Sequence, residues 1–427
     1  MGDSRQLRVL WLSSTSGLFD ATANVSGYYG GGWISSLQKA VQEIPSISLA
    51  LAFPQQEKRT KIVKDATTYY CLHKKSLHGV AKLLYYYRGY RCEDTSALLS
   101  EILWAIDDFR PDVIQLFGIE SELACILGQT NIPVVVHLQG LLAPCDNAFF
   151  PSGINKSSFL WPPSVREWIL RNGYIFAKKK ITVRGQRESA LFKKVHYLMG
   201  RTAWDRQVSR LLAPQAFYFH VDEILRDVFY EYAGQWQRPQ GTITVASTIS
   251  NTVYKGLDVV LKTANLLKKE TQLSFVWKVF GINTDDGIVS FFERETDIKG
   301  SEVNVVYCGP KSPVDLCHEL LDAHVYVHPS YIDNSPNSVC EAQMLGLPVI
   351  ATNVGGVSTI VEHLKTGILV PANAPYELAY YLTEIINNET LSQSLGVSGS
   401  HVAAQRHSKE DILDAIHMVY KNMVLER

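Results

Sequence analysis

The stretch HPSYIDNSPNSVCEAQMLGLPVIATNVGG, residues 328–356, decides how the rest of the chain is read. It begins at the end of an apolar run, residues 325–329, that reads as a buried strand. A polar loop follows. Residues 338–345 then read as a short helix stopped by Gly346, and residues 348–352 as a second buried strand. Strand, loop, helix and strand in quick succession form the repeating unit of a parallel sheet covered by helices.

The start of that helix leaves the N–H groups of Asn337, Ser338 and Val339 without intrahelical partners, which suits a phosphate. Pro336 stiffens the approach. Asp333 precedes the helix and Glu341 lies a turn inside it, so both carboxylates can face one cleft and accept hydrogen bonds from ribose and hexose hydroxyls. Plainer readings exist for the same residues. Ser338 and Glu341 have the spacing of a capping box, and Asp333 suits an Asx-turn.

Working outward, the alternation of strand and helix runs through both halves. Residues 7–13, 46–53, 113–117 and 132–138 read as strands, with helices over 33–41 and 96–109. The pattern restarts after residue 240, with strands at 242–247, 275–280 and 303–308 and helices at 257–269 and 313–321. Residues 219–241 have no clean period and read as a connection. A last helix, 409–425, is capped by Ser408 and carries the stripe Ile412, Ile416, Val419 and Met423. The expected fold is α/β, with two Rossmann-like doubly wound domains facing a central cleft. The expected boundaries are 1–218, 219–241, 242–405 and 406–427. At 427 residues, two cores are the natural expectation. Ligands of such sheets bind outside the carboxyl ends of the strands.

Composition narrows the class. With 46% hydrophobic and 19% charged residues the chain is globular. No apolar run reaches the ~18 residues of a membrane span, and the N-terminus lacks a signal-peptide layout. The seven cysteines form no CxxC pair, so a reducing cytosol is the expected home and a structural zinc site is not. Net charge is −1, yet residues 1–220 hold 26 Lys/Arg against 17 Asp/Glu and the remainder 15 against 25. The asymmetry suits either different partners for the two halves or a basic face meeting an acidic one across the cleft.

Residues 328–356 resemble the signature of retaining glycosyltransferases of family 4, which have the GT-B fold. The matching residues are Pro329, Ser330, Asp333, Glu341, Ala342, Gly346, Pro348, Val349, Gly355 and Gly356, with Asp333 where the family usually has Glu. A second match is Tyr254-Lys255-Gly256-Leu257-Asp258, whose lysine contacts the donor diphosphate in the family. The Arg usual a few residues earlier is replaced by the hydroxyl-rich stretch around Ser250. Gly30-Gly31-Gly32 and His137 fall where the family has a donor-facing glycine loop and a His near the transferred sugar. In the family the last helix returns to the first domain.

The resemblance implies a retaining transfer of a hexose from a nucleoside diphosphate sugar to a glycan or lipid-linked glycan, in surface polysaccharide biosynthesis. The implied catalytic residues are Asp333, Lys255 and His137. The implied donor-binding residues are Gly31, Gly32, Ser250, Lys255, Gly309, Pro310, Asn334, Ser335, Asn337, Ser338 and Glu341. No DxD metal site stands in the required context, so no metal and no cofactor is expected, and no nucleic-acid partner. A GT-B epimerase or phosphorylase, or a degenerate scaffold, are the alternatives. Residues 73–91 mix Lys74, Lys75, Lys82, Arg88 and Arg91 with leucines and tyrosines. That mixture suits an anionic membrane surface at the inner face of the plasma membrane, or a packed helix with basic ends.

Overall fold

The computed structural model describes residues 6–19, 32–75, 77, 79–87, 90, 95–160 and 173–425. The strands of the first sheet are β1 (Leu7–Leu12), β2 (Ile47–Gln55), β3 (Thr60–Lys64), β4 (Thr67–His73), β5 (Val113–Phe117), β6 (Val134–His137), β7 (Tyr197–Gly200) and β8 (Phe217–His220). Their spatial order is β3-β4-β2-β1-β5-β6-β7-β8. All neighbours are parallel except the antiparallel β3–β4 pair. The inner strands are continuous apolar runs because helices cover both faces. β3 is different: TKIVK is exposed throughout and lies at the edge, where lysines discourage pairing with another chain.

The second sheet contains β9 (Ile243–Thr248), β10 (Phe275–Phe280), β11 (Val305–Gly309), β12 (Val325–His328), β13 (Val349–Thr352) and β14 (Ile368–Val370). It is wholly parallel, in the order β11-β10-β9-β12-β13-β14. The strand order reverses between β9 and β12 here, and between β1 and β5 in the first sheet. Each reversal opens a crevice at the strand carboxyl ends.

Several links tie the two halves together. The helix Lys409–Leu425 buries Ile412, Ile416, Val419, Tyr420 and Met423 with Trp11 and Phe117 of the first sheet. The Tyr420 hydroxyl donates to Gln115 and accepts from Trp11 Nε1 at 3.0 Å. Phe149, Ile154 and Phe159 lie before β7 in sequence, yet they are buried with the core of the second sheet, Phe159 meeting Phe291 at 4.9 Å between centroids. The stretch 219–241 starts inside β8, then places Trp236 in the second half, with its Nε1 donating to the Ala323 carbonyl at 2.8 Å.

Among the described residues no helix is long and apolar enough to cross a membrane.

Candidate functional site

The site assembles at the carboxyl ends of β9 and β12. After β9 the chain makes the 3₁₀ turn Val253–Lys255 and passes through Gly256 at φ 81°. A Cβ on Gly256 would collide with the Pro329 carbonyl, so the Lys-Gly pair is a packing requirement as well as a charged one. Lys255 Nζ is thereby held 2.6 Å from Asp333 Oδ2. His328 Nε2 lies 3.2 Å from the same oxygen, and Asp333 Oδ1 accepts the Asn334 N–H at 3.0 Å. Burial would raise the Asp333 carboxyl, but Lys255 and His328 override it and hold it well below the usual carboxylate range. The Gly355–Gly356 turn presses on this loop: the Gly356 N–H donates to the Asp333 carbonyl at 3.0 Å, and a side chain on Gly355 would strike that carbonyl.

The helix Asn337–Leu345 starts behind Pro336, which takes the N-cap position. Its first N–H groups, those of Asn337 and Ser338, cannot be satisfied within the helix. Glu341 does not cap the helix. Arg226 Nε and Nη2 each donate to one of its carboxylate oxygens, both at 2.7 Å, with the Glu341 side chain only 4% exposed. The capping-box spacing is present, but a bidentate guanidinium outcompetes a single backbone N–H.

A cavity of about 260 Å³ opens beside these groups. Of the residues expected to bind a donor, Gly32, Ser250, Pro310, Asn337, Ser338 and Glu341 line it. Lys255 and Asp333 form a pair next to it rather than in its wall. Gly309 ends β11 at φ 66°, one residue behind Pro310. Gly31 lies outside the described residues.

The side chains of Asn334 and Ser335 are engaged elsewhere. Asn334 Oδ1 accepts from Thr202 Oγ1 at 2.7 Å, and its Nδ2 donates to Asp205 at 3.1 Å and to the Gln139 carbonyl at 3.2 Å. It is thus a latch onto the first half, across the cleft. Ser335 Oγ donates to Glu223 at 3.4 Å.

His137 ends β6 and is wholly enclosed. Its ring lies between Phe117 and the edge of Trp33, at 5.7 and 5.0 Å. Gln115, whose oxygen takes the Tyr420 hydroxyl, donates its Nε2 to His137 Nδ1 at 3.1 Å, which leaves the proton on Nε2. That Nε2 has no partner among the described residues. Burial, and then Arg201, lower its pKa well below the ordinary histidine value, so the ring is neutral. Trp33, which lines the cavity, stands against it.

Four residues were missed in the sequence. Arg226 and Lys311 bring cations to the cavity wall. Arg201 forms a buried ion pair with Glu223, which burial pushes up to about 7 despite that partner. With its amide nitrogen turned to Glu223, Asn337 donates to both carboxylate oxygens at 2.5 and 3.1 Å. Three acids, an arginine and a histidine set among the apolar residues of HVDEILRDVF, residues 220–229, were the available signal. Among the described residues no group of three or more His, Cys, Asp or Glu side chains is placed to hold a metal ion.

This geometry has counterparts. Residues 231–401 match the sequence model of the family described as glycosyl transferases group 1. A D-inositol 3-phosphate glycosyltransferase of Corynebacterium jeikeium is 27% identical over 175 residues, 40% of this chain and 41% of that protein, so the match spans less than half of the relative. Two solved structures align over nearly the whole chain. Sucrose-phosphate synthase of Thermosynechococcus elongatus gives a TM-score of 0.72 at 14% identity, covering 99% of this chain and 100% of that one. Anabaena HepE, in complex with UDP and glucose, gives 0.64 at 14% identity, covering 97% and 100%. The chain therefore has the GT-B fold, and its residues 231–401 are similar to the glycosyl transferases group 1 family.

Proposed function

We propose that this chain is a retaining glycosyltransferase that moves a hexose from a nucleoside diphosphate sugar to a glycan or lipid-linked glycan acceptor in surface polysaccharide biosynthesis. The observation that carries this reading is the pair of carboxylate–cation contacts, Lys255 with Asp333 and Arg226 with Glu341, on either side of a helix N-terminus. An arriving diphosphate competes with Asp333 for the Lys255 ammonium and takes the free N–H groups of Asn337 and Ser338. Asp333, still ionised, then accepts hexose hydroxyls, and Glu341 accepts those of the ribose. As the sugar–phosphate bond breaks, fixed dipoles and Lys255 stabilise the leaving diphosphate without reorganising. Arg226 and Lys311 line the same cavity and offset the missing Arg before Lys255. With the phosphate charge met in this way, the reading needs no divalent metal. HepE, of the same fold, is a structural neighbour described as in complex with UDP and glucose. His137 enters this reading through its unpartnered Nε2–H, a donor for a sugar hydroxyl once Trp33 moves aside.

The same reading places the protein against the cytoplasmic face of a membrane. The helix Gly79–Tyr87 exposes Val80, Leu84 and Tyr87 by 72%, 48% and 52%, with Lys82 among them. Lys74 is less available, being paired with Glu122 at 2.6 Å. Arg88 and Arg91 lie outside the described residues. Co-sedimentation that rises with anionic lipid and falls with salt supports this contact; negligible sedimentation on anionic and neutral vesicles alike removes it.

A thermal-shift screen against UDP, GDP, ADP and dTDP sugars tests the central claim. A ligand that binds only the native state raises its melting temperature. At least one should do so and should yield product with its anomeric configuration kept. A flat response to all of them overturns the reading.

A further inference from the structure

A second cavity, of about 320 Å³, lies in the first half of the chain and is not used by the donor reading. It opens at the carboxyl ends of the strands flanking the β1/β5 reversal, with Ser14 after β1 and Glu120 after β5. Its other wall is the helix Tyr174–Phe192, which contributes Lys180 and Arg184. These two are four residues apart and share one helix face.

Three features point to a ligand. First, Glu120 Oε2 is enclosed and has no hydrogen-bond partner among the described residues. An unmet buried acceptor of this kind is costly unless something supplies a donor. The loop that carries it is held firmly, since Arg184 and Arg187 both donate to the Glu120 carbonyl at 3.0 Å.

Second, the charge is unbalanced. Lys74 at the rim is cancelled by Glu122, whereas Lys180 is exposed and makes no ion pair among the described residues. Burial pushes the Glu120 carboxyl up to about 7, with Glu188 adding to the rise, so it only partly offsets Lys180 and Arg184 at neutral pH.

Third, direct contacts link the cavity wall to the donor side. Glu188, on the helix that carries Lys180 and Arg184, accepts from the Leu142 and Ala143 N–H groups at 3.0 and 2.9 Å. Phe149, a few residues on, meets the ring of Tyr254, next to Lys255, at 6.1 Å between centroids.

We infer that this cavity is the acceptor site, and that the acceptor carries an anionic group, phosphate or carboxylate, held by Lys180 and Arg184, together with a hydroxyl that donates to Glu120. The inference rests on the glycosyltransferase reading, and the two can fail separately. A nucleoside diphosphate found to bind in the thermal screen is titrated first, alone. With it present at saturation, so that the donor phosphate site is filled, glucose 6-phosphate, glucuronate and glucose are titrated by calorimetry.

Either anionic sugar should bind, and glucose should bind at least roughly tenfold more weakly, the scale of a charged hydrogen bond. Lys180→Glu combined with Arg184→Gln should weaken the anionic sugar by roughly ten- to hundredfold and leave the nucleotide affinity unchanged. Glu120→Gln should weaken it by less and keep its preference over glucose. In a second arm, phosphatidylglycerol in phosphatidylcholine vesicles replaces the soluble sugars. Loss of binding in the double variant in either arm supports the site and tells a free acceptor anion from a lipid-borne one. Absence of nucleotide binding overturns the glycosyltransferase reading. Nucleotide binding with anionic sugars no better than glucose, or with the double variant unchanged in both arms, overturns the acceptor site alone.

Discussion

Arg226 and Glu341 meet side by side, the guanidinium Nε and Nη2 each 2.7 Å from a different carboxylate oxygen. They lie 115 residues apart in sequence, one on the connection between the halves and one on the donor-facing helix. The pair couples the position of that connection to the carboxylate proposed to hold the ribose.

Arg226→Met leaves the nearly buried Glu341 carboxyl without its partner. Loss of one member of such a pair costs about 3 kcal/mol. Urea unfolding should show that loss, and calorimetry should show weaker nucleotide binding. Replacing both, as Arg226→Met with Glu341→Leu, should recover much of the stability but none of the affinity. A single variant as stable as the parent would mean that solvent replaces the guanidinium.

Lys255→Ala should weaken nucleotide sugar binding by about 1.5–3 kcal/mol. It also removes the main counter-charge on Asp333, leaving His328 alone beside it. The Asp333 carboxyl should then rise. Donor affinity of the variant should therefore fall on acidification at a higher pH than in the parent, and titrations across the acid range would reveal it. Parallel pH profiles would remove Asp333 from donor binding.

His407 gives a pH prediction of known sign. Burial, and then Arg406, lower its pKa to about 4 from an ordinary 6.5, while Nδ1 lies 2.7 Å from the Glu223 carbonyl. A depressed histidine contributes stability that is fully present above the unfolded pKa and is lost as pH falls through the folded one. Stability should thus decline between pH 6.5 and about 4. His407→Gln should flatten part of that decline in urea midpoints taken across the window, since the enclosed His137 contributes with the same sign.

Transfer should survive EDTA. On the proposed reading, Lys255, Arg226, Lys311 and the helix N-terminus would supply the positive charge that a metal would otherwise bring to the diphosphate. Activity lost on chelation and restored by Mg²⁺ or Mn²⁺ would show that this charge is insufficient.

What could be read from the sequence was what is local in it. Asp333, the start of the helix and Glu341 sit within nine consecutive residues, and strand and turn chemistry place them without knowledge of the rest. Lys255 was readable for the same reason, beside a glycine that the close approach of Pro329 demands. The partner of Glu341 was not readable. Its spacing from Ser338 permits a cap, and only the fold brings Arg226 close enough to prevent it. Asn334 looked like a donor ligand by its place in the loop, but Thr202 and Asp205 arrive from the first half and engage its amide. The β3–β4 hairpin escaped because β3 is exposed on both faces and shows no buried alternation. Nothing in the pattern of residues 149–159 indicates that Phe149 and Phe159 pack beneath the second sheet rather than the first.

The contact of Trp11 with Tyr420 spans 409 residues of chain. During synthesis the first sheet is made early, yet one of its faces, only partly covered by the helix Gly32–Gln42, stays incompletely covered until the helix Lys409–Leu425 has emerged. At the ~5–20 residues per second of translation, that face waits tens of seconds for its cover. Trp11, Val9 and Phe117 are therefore the surface most in need of protection by a chaperone in the nascent protein. A fragment ending after β8 would keep that face open permanently and should aggregate, whereas adding the helix as a separate peptide should restore solubility.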